Sequence, residues 1–170
     1  MVSGAVRTFK LLSDGRRRID AFHRLGDNFG METGDEHRFS AEALGDGTIV
    51  AHRRCSLETL ASRDQTFANQ VVASMMRSLE RAQDHMLLLW RKHILEKIAT
   101  FLLVLSERLT KDRQADLPMS RIDTADHLGL TIETVSRSLT QLERQGVIEV
   151  PAHHRGIVLR DKTALQRLEA

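Results

Sequence analysis

The stretch "LGLTIETVSRSLTQLERQG", residues 128–146, reads as the end of one helix, a tight corner and a second helix closing on glycine. Val135, Leu139 and Leu142 recur at helical spacing and give the second helix one apolar face. Its other face opens with Thr131, Glu133, Thr134, Ser136 and Arg137. Gly129 can turn sharply without a Cβ penalty, and Thr131 offers a hydroxyl to cap the helix that follows. Upstream, "SRID" (120–123) sets Ser120 three residues ahead of an acid, close to a capping box. It predicts a helix that buries Ile122, Ala125 and Leu128. Downstream, Gly146 ends the second helix. "VIEV" and "GIVLR" then read as short strands joined by "PAHHR", a wing-like hairpin, and "DKTALQRLEA" as a last helix capped by Asp161.

Helix, glycine turn, helix is the arrangement that lays a second helix in the DNA major groove, its N-terminal residues against base edges. A carboxylate there can accept from the cytosine amino group, and an arginine can pair bidentately with guanine. Glu133 and Arg137 lie four apart, on one face, and could address neighbouring base pairs, with Ser136 beside them. The same spacing also suits a plain surface ion pair of about 0.2–0.5 kcal/mol. Ser120, Arg121, Thr131, Thr134, Thr140, His154 and Arg155 are placed to touch the phosphate backbone or its surroundings.

Outward from this core, no glycine or proline appears between Asp64 and Pro118, so Asp64 is positioned to cap one long helix. Within it Val72, Met75, Leu79, Ala82, Met86 and Leu89 alternate steps of three and four. That heptad seam suits a dimer interface, or a single helix packed on its own domain. "HMLLLWRKH" (85–93) is apolar around more than one face, which favours burial on two sides. The periodicity restarts after His93 with Ile94, Ile98, Phe101, Leu102, Leu105 and Leu109, then meets a polar loop, "TKDRQADLP".

Residues before 54 read as strands and turns. "VRTFKLLSDGRRRIDAFH" (6–23) holds two extended runs around Asp14-Gly15, a dipeptide suited to a hairpin. "LGDNFG" and "LGDGT" are further turns, with "RFSAEAL" and "TIVAHRR" as strands, and "SLETLAS" is a short helix capped by Ser56. The predicted class is α+β. A partial β-roll spans 1–63, a long dimerisation helix 64–93, and a winged helix–turn–helix 94–170.

Composition narrows the classes. With 41% apolar and 28% charged residues the chain has the make-up of a globular domain. No apolar run nears the roughly 20 residues that span a bilayer. A net charge of +2 leans only weakly toward a polyanion. Cys55 is the one cysteine, so a disulfide or cysteine zinc site within the chain is excluded and a reducing cytoplasm is the default. The eight histidines show no i,i+4 pair and no HExxH set, and His85 and His93 read as helix surface or interface. No nucleophile elbow or phosphate loop appears, so an enzyme is not expected.

"GLTIETVSRSLTQLERQGVI" resembles the recognition segment of the cyclic-AMP receptor protein and fumarate–nitrate reduction regulator superfamily, its E-x-x-S-R core being Glu133, Ser136 and Arg137. "DHMLLLWRKHILEKIATFLL" (84–103) resembles the family's dimer helix and the helix after it, and "FHRLGDNFGME" a β-roll segment. The FixK branch, rhizobial regulators of nitrogen fixation and microaerobic respiration, is the nearest in kind.

The resemblance implies a homodimer on double-stranded DNA, reading TTGA-type half-sites of a palindrome. It also implies activation through RNA polymerase, with the 112–118 loop as a conceivable contact. It further implies that the chain is shortened at its N-terminal end by about a third of a β-roll. A lone Cys55 argues against an iron–sulfur cluster. Gly30-Met31-Glu32 and Arg38-Phe39-Ser40 split the family's phosphate-binding pairs, which argues against cyclic-nucleotide sensing. No cofactor is expected. Two alternatives stay open: an effector-gated sensor, responding to a cyclic nucleotide or to redox state, and a shortened partner that dimerises with full-length relatives.

Overall fold

The computed structural model describes residues 1–32, 34–91, 93–108, 114–115, 120–151 and 157–169. Strands β1 (Val6–Leu11) and β2 (Arg17–His23) form the expected antiparallel hairpin. Gly15 takes φ +82° in its loop. Strand β3 (Ser40–Ala43) adds to the other edge of β1, giving the order β2-β1-β3. The stretch "TIVAHRR" does not form the strand expected of it. Only Thr48 bridges, to Ser3, and Ile49 and Val50 stay exposed with no strand to pair against. Alternating apolar character cannot make a strand without a partner edge.

Helix α1 (Arg54–Arg63) starts two residues before Ser56. Its N-cap is Arg53, with no side-chain cap bond, which corrects the assignment of Ser56. Helix α2 (Gln65–Trp90) is capped as its sequence predicts, with Asp64 accepting from the Thr66 and Phe67 amides. After it come α3 (Ile94–Arg108) and α4 (Arg121–Leu128). The "TKDRQADLP" segment is not all loop, because Gln114–Ala115 forms a short strand, β4. Helix α5 (Ile132–Arg144), strands β5 (Ile148–Glu149) and β6 (Ile157–Leu159), and helix α6 (Lys162–Glu169) complete the chain. The three short strands pair in the order β4-β6-β5. Ile98, Leu102, Leu128, Val135, Leu142, Ile148 and Leu165 are fully buried and join α3 to the helix pair, the small sheet and α6. Each such burial contributes about 1.5–3 kcal/mol. Arg91 ties the start of α3 to the chain's end, donating to Glu96 Oε1 at 2.5 Å and to the Glu169 carbonyl at 2.8 Å.

Helix α4 departs from expectation on one face. Ile122 is 49% exposed, while Asp123 and Thr124 are buried beside Ala125 and Leu128. The reason is a set of long-range ion pairs. Asp123 meets Arg7 and Arg17 of the hairpin, and Arg17 Nε reaches Asp126 at 2.9 Å. Turning Ile122 inward would break them. The first helix of the pair is thereby docked on β2.

Two histidines complete this junction. His127 of α4 lies against Phe22 and Phe101, its Nδ1 3.2 Å from the Ile19 carbonyl. His85 of α2 stacks on it at 3.9 Å between centroids, so it is a structural bridge rather than the free surface or interface residue expected. Desolvation, reinforced by the charge at His85 and only partly offset by the Ile19 hydrogen bond, lowers the His127 pKa from 6.5 to about 3. The fold therefore holds His127 neutral, whereas the unfolded chain takes up a proton there below about pH 6.5. Stability is untouched above that pH and lost as pH falls from 6.5 toward 3. Urea unfolding across this window should show an acid slope of about 1 kcal/mol per pH unit that His127→Gln removes.

Candidate nucleic-acid interface

Local chemistry builds the α4–α5 pair. Ser120 caps α4 by accepting from the Asp123 amide, while Asp123 accepts in return from the Ser120 amide, completing the capping box. Gly129 then adopts φ +67°. An added Cβ there would rest 3.9 Å from Leu89 Cδ2, an ordinary contact, so it is the backbone angle and not space that selects glycine. Thr131 caps α5, accepting from the Thr134 amide at 3.2 Å. Ser120, Thr131 and Thr134, proposed for backbone contact, thus already have structural work at the helix starts.

Val135, Leu139 and Leu142 anchor α5 in the core as its periodicity predicts. This turns Glu133, Arg137 and Thr140 outward, with Ser136 half-buried between them. Glu133 and Arg137 form no close ion pair among the described residues. The backbone N–H of Glu133 itself, the Thr131 hydroxyl and, one turn on, Arg137 hold the carboxyl below its usual range. Glu133 is therefore an ionised acceptor, suited to a base amino group. Arg137 makes no hydrogen bond or ion pair among the described residues, leaving its donors available. Arg121 reaches from α4 to donate to Ser136 Oγ at 3.4 Å, which brings it beside the exposed face of α5.

The exposed face continues beyond the residues expected from sequence. Ser136, Arg137, Thr140, Gln141, Arg144 and Gln145 line one shallow groove along α5. Gln141 and Arg144 were missed, although continuing the period from Arg137 by four and seven residues finds both. His154 and Arg155, expected in the wing, lie outside the described residues, as does the 112–118 loop apart from Gln114 and Ala115.

Helix α2 carries a second surface. Val71, Ser74, Ser78, Arg81, His85 and Leu88 face the rest of the chain, with Ser74 bonded to Asn28 at 2.9 Å. One residue on, Val72, Met75, Leu79, Ala82, Met86 and Leu89 all lie exposed. Leu79 is 53% accessible and Val72 57%. Among the described residues the chain's own fold leaves this seam exposed.

Residues 96–168 match the Crp-like helix-turn-helix domain. The nitrogen fixation regulation protein FixK of Azorhizobium caulinodans is 47% identical over 175 aligned residues, covering 100% of this chain and 70% of that protein. The transcriptional activatory protein AadR of Rhodopseudomonas palustris is 41% identical, with 88% of this chain and 64% of AadR aligned. Among solved structures, FixK2 from Bradyrhizobium japonicum superposes with a TM-score of 0.87 at 48% identity, covering 99% of this chain and 85% of that one. The chain belongs to the FixK-like branch of the Crp/Fnr family. This Crp/Fnr chain is a DNA-binding transcription regulator whose α4–α5 pair lies within the matched helix-turn-helix domain. No helix among its described residues is long and apolar enough to cross a membrane.

Proposed function

We propose that the chain is a homodimeric transcription activator of nitrogen-fixation and microaerobic respiration genes that sets its two α5 helices in successive major grooves of a TTGA-type palindrome. The observation that carries this reading is the row of outward, ionised Glu133, half-buried Ser136 and outward Arg137, which makes no ion pair among the described residues, on a helix anchored by Val135, Leu139 and Leu142. The names of its relatives, FixK and AadR, support the process and the activating sense. In this reading residues 1–63 are the partial β-roll domain, 64–93 the dimerisation helix and 94–170 the DNA-binding domain. The exposed α2 seam would be covered by its counterpart in a second copy, and RNA polymerase would be contacted from the DNA-bound dimer in the cytoplasm. Arg137→Ala should cost about 1–3 kcal/mol on a matched palindrome while weakening binding to unrelated DNA much less. Gel shifts on matched and base-substituted sites measure the difference. Equal losses on all sequences would reduce Arg137 to a phosphate contact.

The effector-gated alternative draws little support from the β portion. One oxygen of the Glu32 carboxylate, Oε2, accepts from the Arg38 amide at 2.8 Å and meets His37, so it already serves the loop itself. Calorimetry with cyclic nucleotides should accordingly show no heat of binding.

A further inference from the structure

We propose that Arg144, at the C-terminal end of α5, seats a phosphate of the DNA backbone at the rim of the major groove, with Thr140 and Gln141 beside it, and so supplies affinity that does not depend on base sequence. The inference deepens the DNA-binding reading above and rests on it.

One stripe runs the length of α5. A helix turns about 100° and rises about 1.5 Å per residue. Arg144 follows Arg137 by seven residues and Glu133 by eleven, so the three stand within roughly 40° of one another on the exposed side. Val135, Leu139 and Leu142 hold the opposite side in the core. Thr140, Gln141 and Arg144 line the same shallow groove as Ser136 and Arg137.

Within its own fold Arg144 has no contact to make. A cation in the last turn of a helix commonly bonds the carbonyls left open there. Here the backbone already serves them. The Gln141 carbonyl accepts from the Gln145 amide at 3.1 Å, Leu142 from Val147 at 3.0 Å and Glu143 from Gly146 at 2.9 Å. Gly146, at φ +71°, closes the turn. The nearby acids are also engaged. Glu143 Oε1 accepts from the Val150 amide at 3.1 Å, and Glu149 pairs with Arg160. The negative end of the helix dipole favours a cation at this place but asks no bond of it. Among the described residues the exposed Arg144 side chain makes no hydrogen bond or ion pair, so its donors stay available.

Length decides what those donors meet. Along the axis Arg137 lies about 6 Å from Glu133, and Arg144 about 17 Å. The major groove is about 12 Å wide and curves round the duplex axis, so a straight helix cannot keep both ends over base edges. The N-terminal end takes the bases. Arg144 therefore comes to the rim, where the exposed groups are phosphate oxygens. A guanidinium donates to phosphate through two parallel N–H groups. The Thr140 hydroxyl and the Gln141 amide, about one turn earlier, add neutral donors to the same backbone.

The test uses the whole chain and reads affinity between about 50 and 200 mM salt. The DNAs are a TTGA palindrome, a base-substituted palindrome and an unrelated duplex. Arg144→Gln has a helix propensity close to that of arginine but no charge. Its slope of log affinity against log salt should be shallower by about 0.9 for each half-site, with affinity lower by about tenfold per half-site. Both palindromes should lose the same factor. Arg144→Lys, which keeps the charge, should restore the slope. A scan of the palindrome with neutral methylphosphonates should find one phosphate per half-site whose neutralisation weakens the unaltered chain but not Arg144→Gln. An unchanged salt slope in Arg144→Gln, or the lack of such a phosphate, overturns the proposal. So does a loss tied to the identity of one base pair, which would make Arg144 a base reader. If the slope falls but no palindrome is preferred over the unrelated duplex, TTGA reading fails and the phosphate seat stands. If no DNA binds even at the lowest salt, both fall.

Discussion

Replacing Leu79 by lysine is expected to turn a dimer into a monomer and to lower affinity for a palindromic site about 100-fold or more, the scale of a lost second contact. Leu79 stands mid-seam on α2, with Met75 and Ala82 on either side and Val72, Met86 and Leu89 beyond. In one chain these side chains lie exposed, so a lysine at position 79 costs the monomer little. In a two-fold seam each residue near the axis meets its own copy, and two ammonium groups would be brought together in a water-poor contact. Sedimentation of the variant should therefore show a folded monomer. Binding to a single half-site, which needs one reading helix only, should be nearly unchanged. A variant that still sediments as a dimer would place the interface elsewhere.

The largest effect on the fold itself is expected at Asp123. Its carboxylate is almost fully buried, receives Arg7 and Arg17, and also closes the α4 capping box. Asp123→Ala removes a shared partner from two half-buried guanidinium groups, a change of about 3–5 kcal/mol for a buried pair broken on one side. Loss of the reciprocal cap adds about 1 kcal/mol. Asp123→Asn keeps an oxygen for the Ser120 amide but lacks the charge, so its loss should fall between the two. Chemical denaturation of the three proteins orders them. Equal stability of all three would mean that Asp126 and Glu42, which also bond Arg17 and Arg7, suffice to hold the hairpin on α4.

What could be read from sequence was local in origin. The caps at Asp64, Ser120, Thr131 and Asp161 depend on groups a few residues away, and the α5 face depends on a period of 3.6. The outward face of α5 follows because helix period alone decides which side chains oppose Val135 and Leu142. What escaped was non-local. Ile122 is exposed because Asp123 answers arginines more than a hundred residues earlier. "TIVAHRR" has the composition of a strand but no edge to join. The bridging place of His85 is not legible because its partners are backbone carbonyls of two distant elements, which no spacing announces. Gln141 and Arg144 lie within reach of the period, but they sit beyond the helix N-terminus, where base contacts are expected.

Helix α2 also constrains which changes of length the chain can tolerate. Its inward and outward rows are offset by a single residue, a turn of about 100°. An insertion or deletion between Val72 and Leu88 would rotate everything beyond it by that angle, sending Leu89 or its neighbours toward the hairpin and His85 and Leu88 toward solvent. Point changes on this mostly exposed helix should thus be widely accepted, whereas indels of one residue should be as damaging as a frameshift is to a gene.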